Sequence, residues 1–255
     1  MNNRDEFYIG WEDRAPSRIG AVVRWTVVFL LALVVLLGVV FASAQRTIGV
    51  STFEWGRIKQ FSGVLRLSPY PYLLVMRPGK GEAAQSFSTY YLVATWKFGL
   101  KPEAIATLDG KAVTLKGTLI YRGTQTMIET RPDWIQAAAS VDKAPQIPPC
   151  IEQGRQTLVG EIVDSKCFLG VMNPGQLIPH RACAIRCISG GVPPVLLVRR
   201  KDGPAQYLLL VSNNGKPVNK EVLDLVAEPI EVTGDVEQQG DLLILRANPR
   251  TYRRL

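Results

Sequence analysis

Residues 61–130 and 158–247 carry one pattern twice. A duplicated unit constrains a fold more tightly than composition does, because both copies must build the same kind of core. The first copy opens FSGVLRLSPYPYLLVMRPG (Phe61 to Gly79), the second LVGEIVDSKCFLGVMNPG (Leu158 to Gly175). Gly63 aligns with Gly160, and Val75-Met76-Arg77-Pro78-Gly79 with Val171-Met172-Asn173-Pro174-Gly175. Tyr91-Leu92-Val93 aligns with Tyr207-Leu208-Leu209. VTLKGTLIYRGTQTMIET (Val113 to Thr130) aligns with IEVTGDVEQQGDLLILRA (Ile230 to Ala247). In that last pair Gly117 meets Gly234, and the turns Arg122-Gly123 and Gln239-Gly240 coincide.

Each copy alternates apolar and polar residues after a glycine, which predicts a half-buried strand. A Tyr-Leu strand, a short helical stretch (LKPEAIATLDG, then NKEVLDLVAE) and a closing hairpin follow. Glycines inside strands suit the bends of a small barrel. Short strands with a helix before the last hairpin predict a mainly β chain with two tandem OB-like barrels. The first spans 57–141 and the second 157–255. The Pro-rich 142–156, with DKAPQIPPC (Asp142 to Cys150), reads as the linker. A small sandwich or an SH3-like barrel is the alternative architecture.

Ahead of the repeat lies WTVVFLLALVVLLGVVFASA, from Trp25 to Ala44, with no charged residue. As a helix it spans about 30 Å, the thickness of a bilayer's hydrocarbon core. This predicts one transmembrane helix over 25–44 after a cytoplasmic tail, 1–24. Ala42-Ser43-Ala44 also matches a leader-peptidase site, so a cleaved leader is the competing reading. Flanking basic residues are balanced, Arg14, Arg18 and Arg24 against Arg46, Arg57 and Lys59. The Arg24 flank and the short tail favour an inner-membrane, single-pass chain whose bulk faces the periplasm or exterior. The tail is neutral, so the net charge of +8 falls on the tethered part. The bilayer and a membrane or periplasmic complex are the expected partners; nucleic acid is not. Over residues 57–250 the pattern resembles membrane-anchored bacterial proteins with tandem OB-like domains.

Copy two is longer by roughly 20 residues, within QLIPHRACAIRCISGGVPP (176–194). This insert holds the only histidine, His180, with Cys183 and Cys187; Cys167 lies on the adjoining strand, where copy one has Tyr70. On a helix, positions i, i+3 and i+7 share a face. His180, Cys183, Cys187 and Cys167 would then form a tetrahedral set for copper or zinc. In ligand type alone this resembles copper chaperones and the dinuclear copper site of cytochrome oxidase. It lacks a Pro after the second Cys, and its His precedes the pair, so no roles transfer. Two other readings stay open. Outside the cytoplasm Cys150, Cys167, Cys183 and Cys187 could form two disulfides in any of three pairings. The thiols could also be an exchangeable redox pair, with Arg181 and Arg186 nearby. Met172 reads as a core filler because Met76 stands at its repeat position, and Asp164, opposite Leu67, reads as a turn or cap residue that could also bond His180.

There is no phosphate loop, nucleophile elbow or H-E-x-x-H pair, which disfavours a conventional enzyme. The expected function is an anchored extracytoplasmic accessory protein that docks to a complex. The alternative is a copper-, zinc- or thiol-handling protein serving respiratory enzyme assembly.

Overall fold

A computed structural model describes residues 16–46, 50–76, 87–138, 149–200, 203 and 205–255. The chain divides into a helical unit, Met1–Gly49, and a compact unit, Val50–Leu255. Helix α1 runs Ser17–Arg46, longer at both ends than the charge-free run. Its apolar side chains are exposed, and it is long and apolar enough to cross a membrane.

The second unit contains two closed five-stranded barrels. The first is built from β2 (Lys59–Arg66), β3 (Tyr72–Met76), β4 (Phe87–Val93), β5 (Ala112–Arg122) and β6 (Gln125–Glu129). Its strands pair in the ring β2-β3-β4-β6-β5, closed by β5 on β2, and only β4 and β6 run parallel. The second repeats this ring with β8 (Cys150–Asp164), β9 (Pro194–Val198), β10 (Gln206–Val211), β11 (Pro229–Gln239) and β12 (Leu242–Arg246). Here β10 and β12 form the parallel pair. This is the Greek-key path of an OB-type barrel. Short strands β1 (Thr52–Phe53) and β7 (Ile135–Ala137) pair with β5, and β13 (Arg253–Arg254) pairs with β11. The stretches between the third and fourth strands hold only 3-10 turns, Pro102–Leu108 and Leu223–Leu225.

Gly63 and Gly160 hold equivalent places, for a close-approach reason. A Cβ on Gly63 would stand 2.3 Å from the Leu74 carbonyl oxygen, and one on Gly160 2.6 Å from that of Leu197. Ladder register corrects the rest of the alignment. Val64 pairs Leu74 and Glu161 pairs Leu197, so β9, not Val171-Met172, is the counterpart of β3. The match of the two Val-Met-x-Pro-Gly runs is therefore coincidental. Tyr91 pairs Met127 while Leu209 pairs Ile244, which shifts the Tyr-Leu match by two residues and preserves its inward face. The extra residues thus lie between the first and second strands, after Asp164. Copy one crosses the same gap from Leu67 to Pro71. Met172 is 45% exposed and fills no core. Of the expected linker, residues 142–148 lie outside the described residues and 150–156 are strand. Past Pro149 every residue can donate to the ladder, and Cys150 already pairs Gln239.

Three apolar clusters account for the burial pattern. Leu65, Leu73, Leu92, Val113, Leu115 and Ile128 fill the first barrel. Ile162, Leu196, Leu208, Leu210, Val232 and Leu245 fill the second. The third joins them: Tyr72, Tyr91, Ile120 and Met127 meet Val163, Val195, Leu197, Leu209 and Ile244 from the outer faces of the second barrel. The insert enters this shared core with Cys167, Phe168, Leu169, Cys187 and Val192. Burial on both faces explains why β9 reads PVLLV without polar alternation.

Candidate metal centre

The insert leaves β8 at Asp164 and forms a π-helical turn, Cys167–Val171. Cys167 is therefore on a turn, not on the strand expected from its repeat position. A 3-10 turn, Ile178–His180, leads into α2, Arg181–Ser189, with His180 at the helix N-cap. Cys183 and Cys187 follow on α2, one turn apart, and both face the π-turn. The first barrel presses on the insert from the other side: a Cβ on Gly170 would lie 2.4 Å from the Thr52 carbonyl oxygen.

The sulfur of Cys167 stands 3.9 Å from that of Cys183 and 3.9 Å from that of Cys187. A ring nitrogen of His180 joins Cys167 and Cys183 in one group whose ligand atoms lie within 4.8 Å of one another. An Asp164 oxygen joins Cys167 and Cys187 in a second group of the same spread. Cys167 is common to both, and no single group of that spread holds all four expected residues. No two of the four cysteines stand at bonding distance, so the structure lends the disulfide expectation no support. A disulfide needs about 2.05 Å between sulfurs. Cys150 is not part of the cluster; it sits exposed at the start of β8 and donates to Glu237 at 3.3 Å.

Asp164 is the hinge of the arrangement. It is fully buried, accepts the Cys167 backbone N–H at 2.8 Å through one oxygen, and meets His180 Nε2 at 2.9 Å through the other. It thus caps the turn and orients the histidine together. Its partner in copy one, Leu67, has no such task.

The first barrel supplies a wall. Lys97 Nζ reaches the Cys183 sulfur at 2.6 Å. That bond raises the Lys97 pKa above its usual range. Lys166, also fully buried, donates to the carbonyls of Ala94 at 2.7 Å and Trp96 at 2.6 Å and pairs with Glu129. Trp96 holds a left-handed φ of 62° in this loop, uncommon for a large side chain. Gly99 N–H donates to the Gly190 carbonyl at 3.0 Å just past α2. Among the thiols, the hydrogen bond shared by Cys167 and Cys187 pushes the Cys167 pKa up, with burial adding to it. The same bond lowers that of Cys187. Cys167 and Cys187 are buried, whereas Cys183 is half-buried beside Lys97, so the cluster has one wet edge.

Lys97 and the Ala94–Gly99 loop were not visible from sequence, since they belong to the other repeat and carry no motif; Lys166, beside Cys167 in the second repeat, carries no motif either. The second-barrel part was visible as residue types confined to the longer copy. No family model, no curated protein and no solved structure matches this chain.

Proposed function

We propose that the insert is a metal centre for copper(I) or zinc, carried by an extracytoplasmic accessory protein that α1 tethers to the inner membrane. Cys167, Cys183, Cys187 and His180 are the ligands. The observation that carries this reading is the sulfur spacing. Two thiolates bound to one tetrahedral ion at about 2.3 Å stand ~3.8 Å apart. Cys167 holds 3.9 Å to each of its two partners. Three sulfurs and an imidazole form a soft donor set, which favours thiophilic ions over calcium or magnesium. The Asp164–His180 bond supports it further: metal-bound histidines commonly give their second ring nitrogen to a carboxylate. With Nε2 on Asp164, Nδ1 is the nitrogen left for the ion.

Such a centre would hold or deliver an ion, for instance in service of a respiratory enzyme. The half-buried Cys183 edge is the side from which a partner would exchange it. The test is metal analysis with thiol counting on the full chain purified from membranes. One copper or zinc per chain is expected, lost in Cys183→Ser. A metal-free chain that stays metal-free under excess ion overturns the proposal, and a mass shift showing Cys167 disulfide-bonded would favour thiol exchange instead.

A further inference from the structure

We infer that the segment entering the first barrel, Val50 to Lys59, rests in the headgroup layer of the bilayer as a second, interfacial contact. The inference rests on the anchor reading of α1. Three large apolar side chains are exposed within this stretch, Val50 by 87%, Trp55 by 75% and Ile58 by 57%. Isolated exposed apolar residues are ordinary. Three in so short a stretch, next to a membrane helix and including a tryptophan, form the pattern of interfacial anchors.

The local structure aims Trp55 outward. Phe53 packs against the core shared by the barrels and touches Trp55 edge-on, with ring centroids 5.3 Å apart. Arg57 N–H donates to the Glu54 carbonyl at 2.9 Å, and Gly56 takes a φ of 77°, so the chain turns sharply with Trp55 at the tip. A turn tip rooted by one aromatic and presenting another is rigid, so it inserts with little ordering cost. Glu54 is paired with Lys59 at 2.6 Å, which leaves the exposed Arg57 as the net charge of the segment. A single excess cation beside apolar side chains suits an anionic headgroup layer.

Covalent reach agrees. A helix of 30 residues is about 45 Å long, which equals the bilayer with its headgroups. Only residues 47–49 separate Arg46 from Val50, so these two lie at most about 15 Å apart. Val50, the first described residue after the helix, therefore cannot leave the neighbourhood of the surface.

The test uses the full chain reconstituted into vesicles of phosphatidylcholine and phosphatidylserine, with tryptophan emission quenched by brominated lipid. Trp96, 80% exposed, is the matched control, and Trp25 in α1 reports insertion. The expected result is that Trp55→Phe removes a lipid-quenched component of the emission, while Trp96→Phe removes only an unquenched one. Equal and unquenched components for Trp55 and Trp96, with Trp25 still quenched, would overturn the inference and leave the anchor standing. Absence of Trp25 quenching, with the chain extracted by alkaline carbonate, would overturn the anchor and this contact together.

Discussion

Replacing Asp164 with asparagine tests the orienting pair at the centre of the insert. The side chain is fully buried and serves two donors, the Cys167 N–H at 2.8 Å and the His180 ring at 2.9 Å. An amide has one acceptor oxygen. If it stays on Cys167, the NH2 group faces His180 Nε2, which must then accept. The histidine proton moves to Nδ1, the nitrogen assigned to the ion, and the ligand is blocked. If the oxygen turns to His180, the Cys167 turn loses its cap. Loss of such an outer partner typically weakens metal binding by about 10–100-fold, or roughly 1.4–2.7 kcal/mol. The metal-free fold should persist, because the side-chain volume is kept and a buried charge is removed. Competition of the metal-loaded chain against a chromophoric chelator measures the change, with circular dichroism as the check on folding. An affinity within twofold of the parent, in a folded variant, would refute the role assigned to Asp164.

Other perturbations probe the frame around the site. Lys166→Met leaves Glu129 and two carbonyls without their shared cation, in a place where the lysine is only 1% exposed. We expect a loss of about 3–5 kcal/mol in denaturant unfolding; a loss under 1 kcal/mol would count against the inter-barrel lock. Gly170→Ala puts a methyl 2.4 Å from the Thr52 carbonyl and should cost about 1–3 kcal/mol, read as a lower Tm of the full chain. Burial raises the pKa of Tyr70, Tyr91, Tyr207 and Tyr252 above the usual 10.0. In the unfolded chain these phenols lose protons above pH 10 while the folded ones keep them. Stability is therefore intact below pH 10 and falls as pH rises beyond it. Phenolate absorbance should lag the full tyrosine count until unfolding, and smooth ionisation of all tyrosines in the folded protein would contradict this.

The barrels were legible because the duplication marked the same close approach twice, at Gly63 and Gly160. The position of the insert was misread for a local reason. Val-Met-x-Pro-Gly is a vivid match, whereas the true counterpart of Tyr72–Met76 is PVLLV, which shares only hydrophobicity with it. Periodicity could not show that the barrels share a core. Leu209 and Leu210 face different clusters, yet both read simply as apolar. The site was legible to the extent that soft ligands stood where copy one has none. Lys97 was not, because only the packing of one repeat on the other brings it to Cys183.

X-ray absorption at the metal edge of the loaded full chain tests the central proposal most directly. The expected first shell holds three sulfurs at about 2.3 Å and one nitrogen at about 2.0 Å. A shell of oxygen and nitrogen alone would contradict it. So would four sulfurs, since the fourth cysteine, Cys150, lies exposed on β8 outside the cluster.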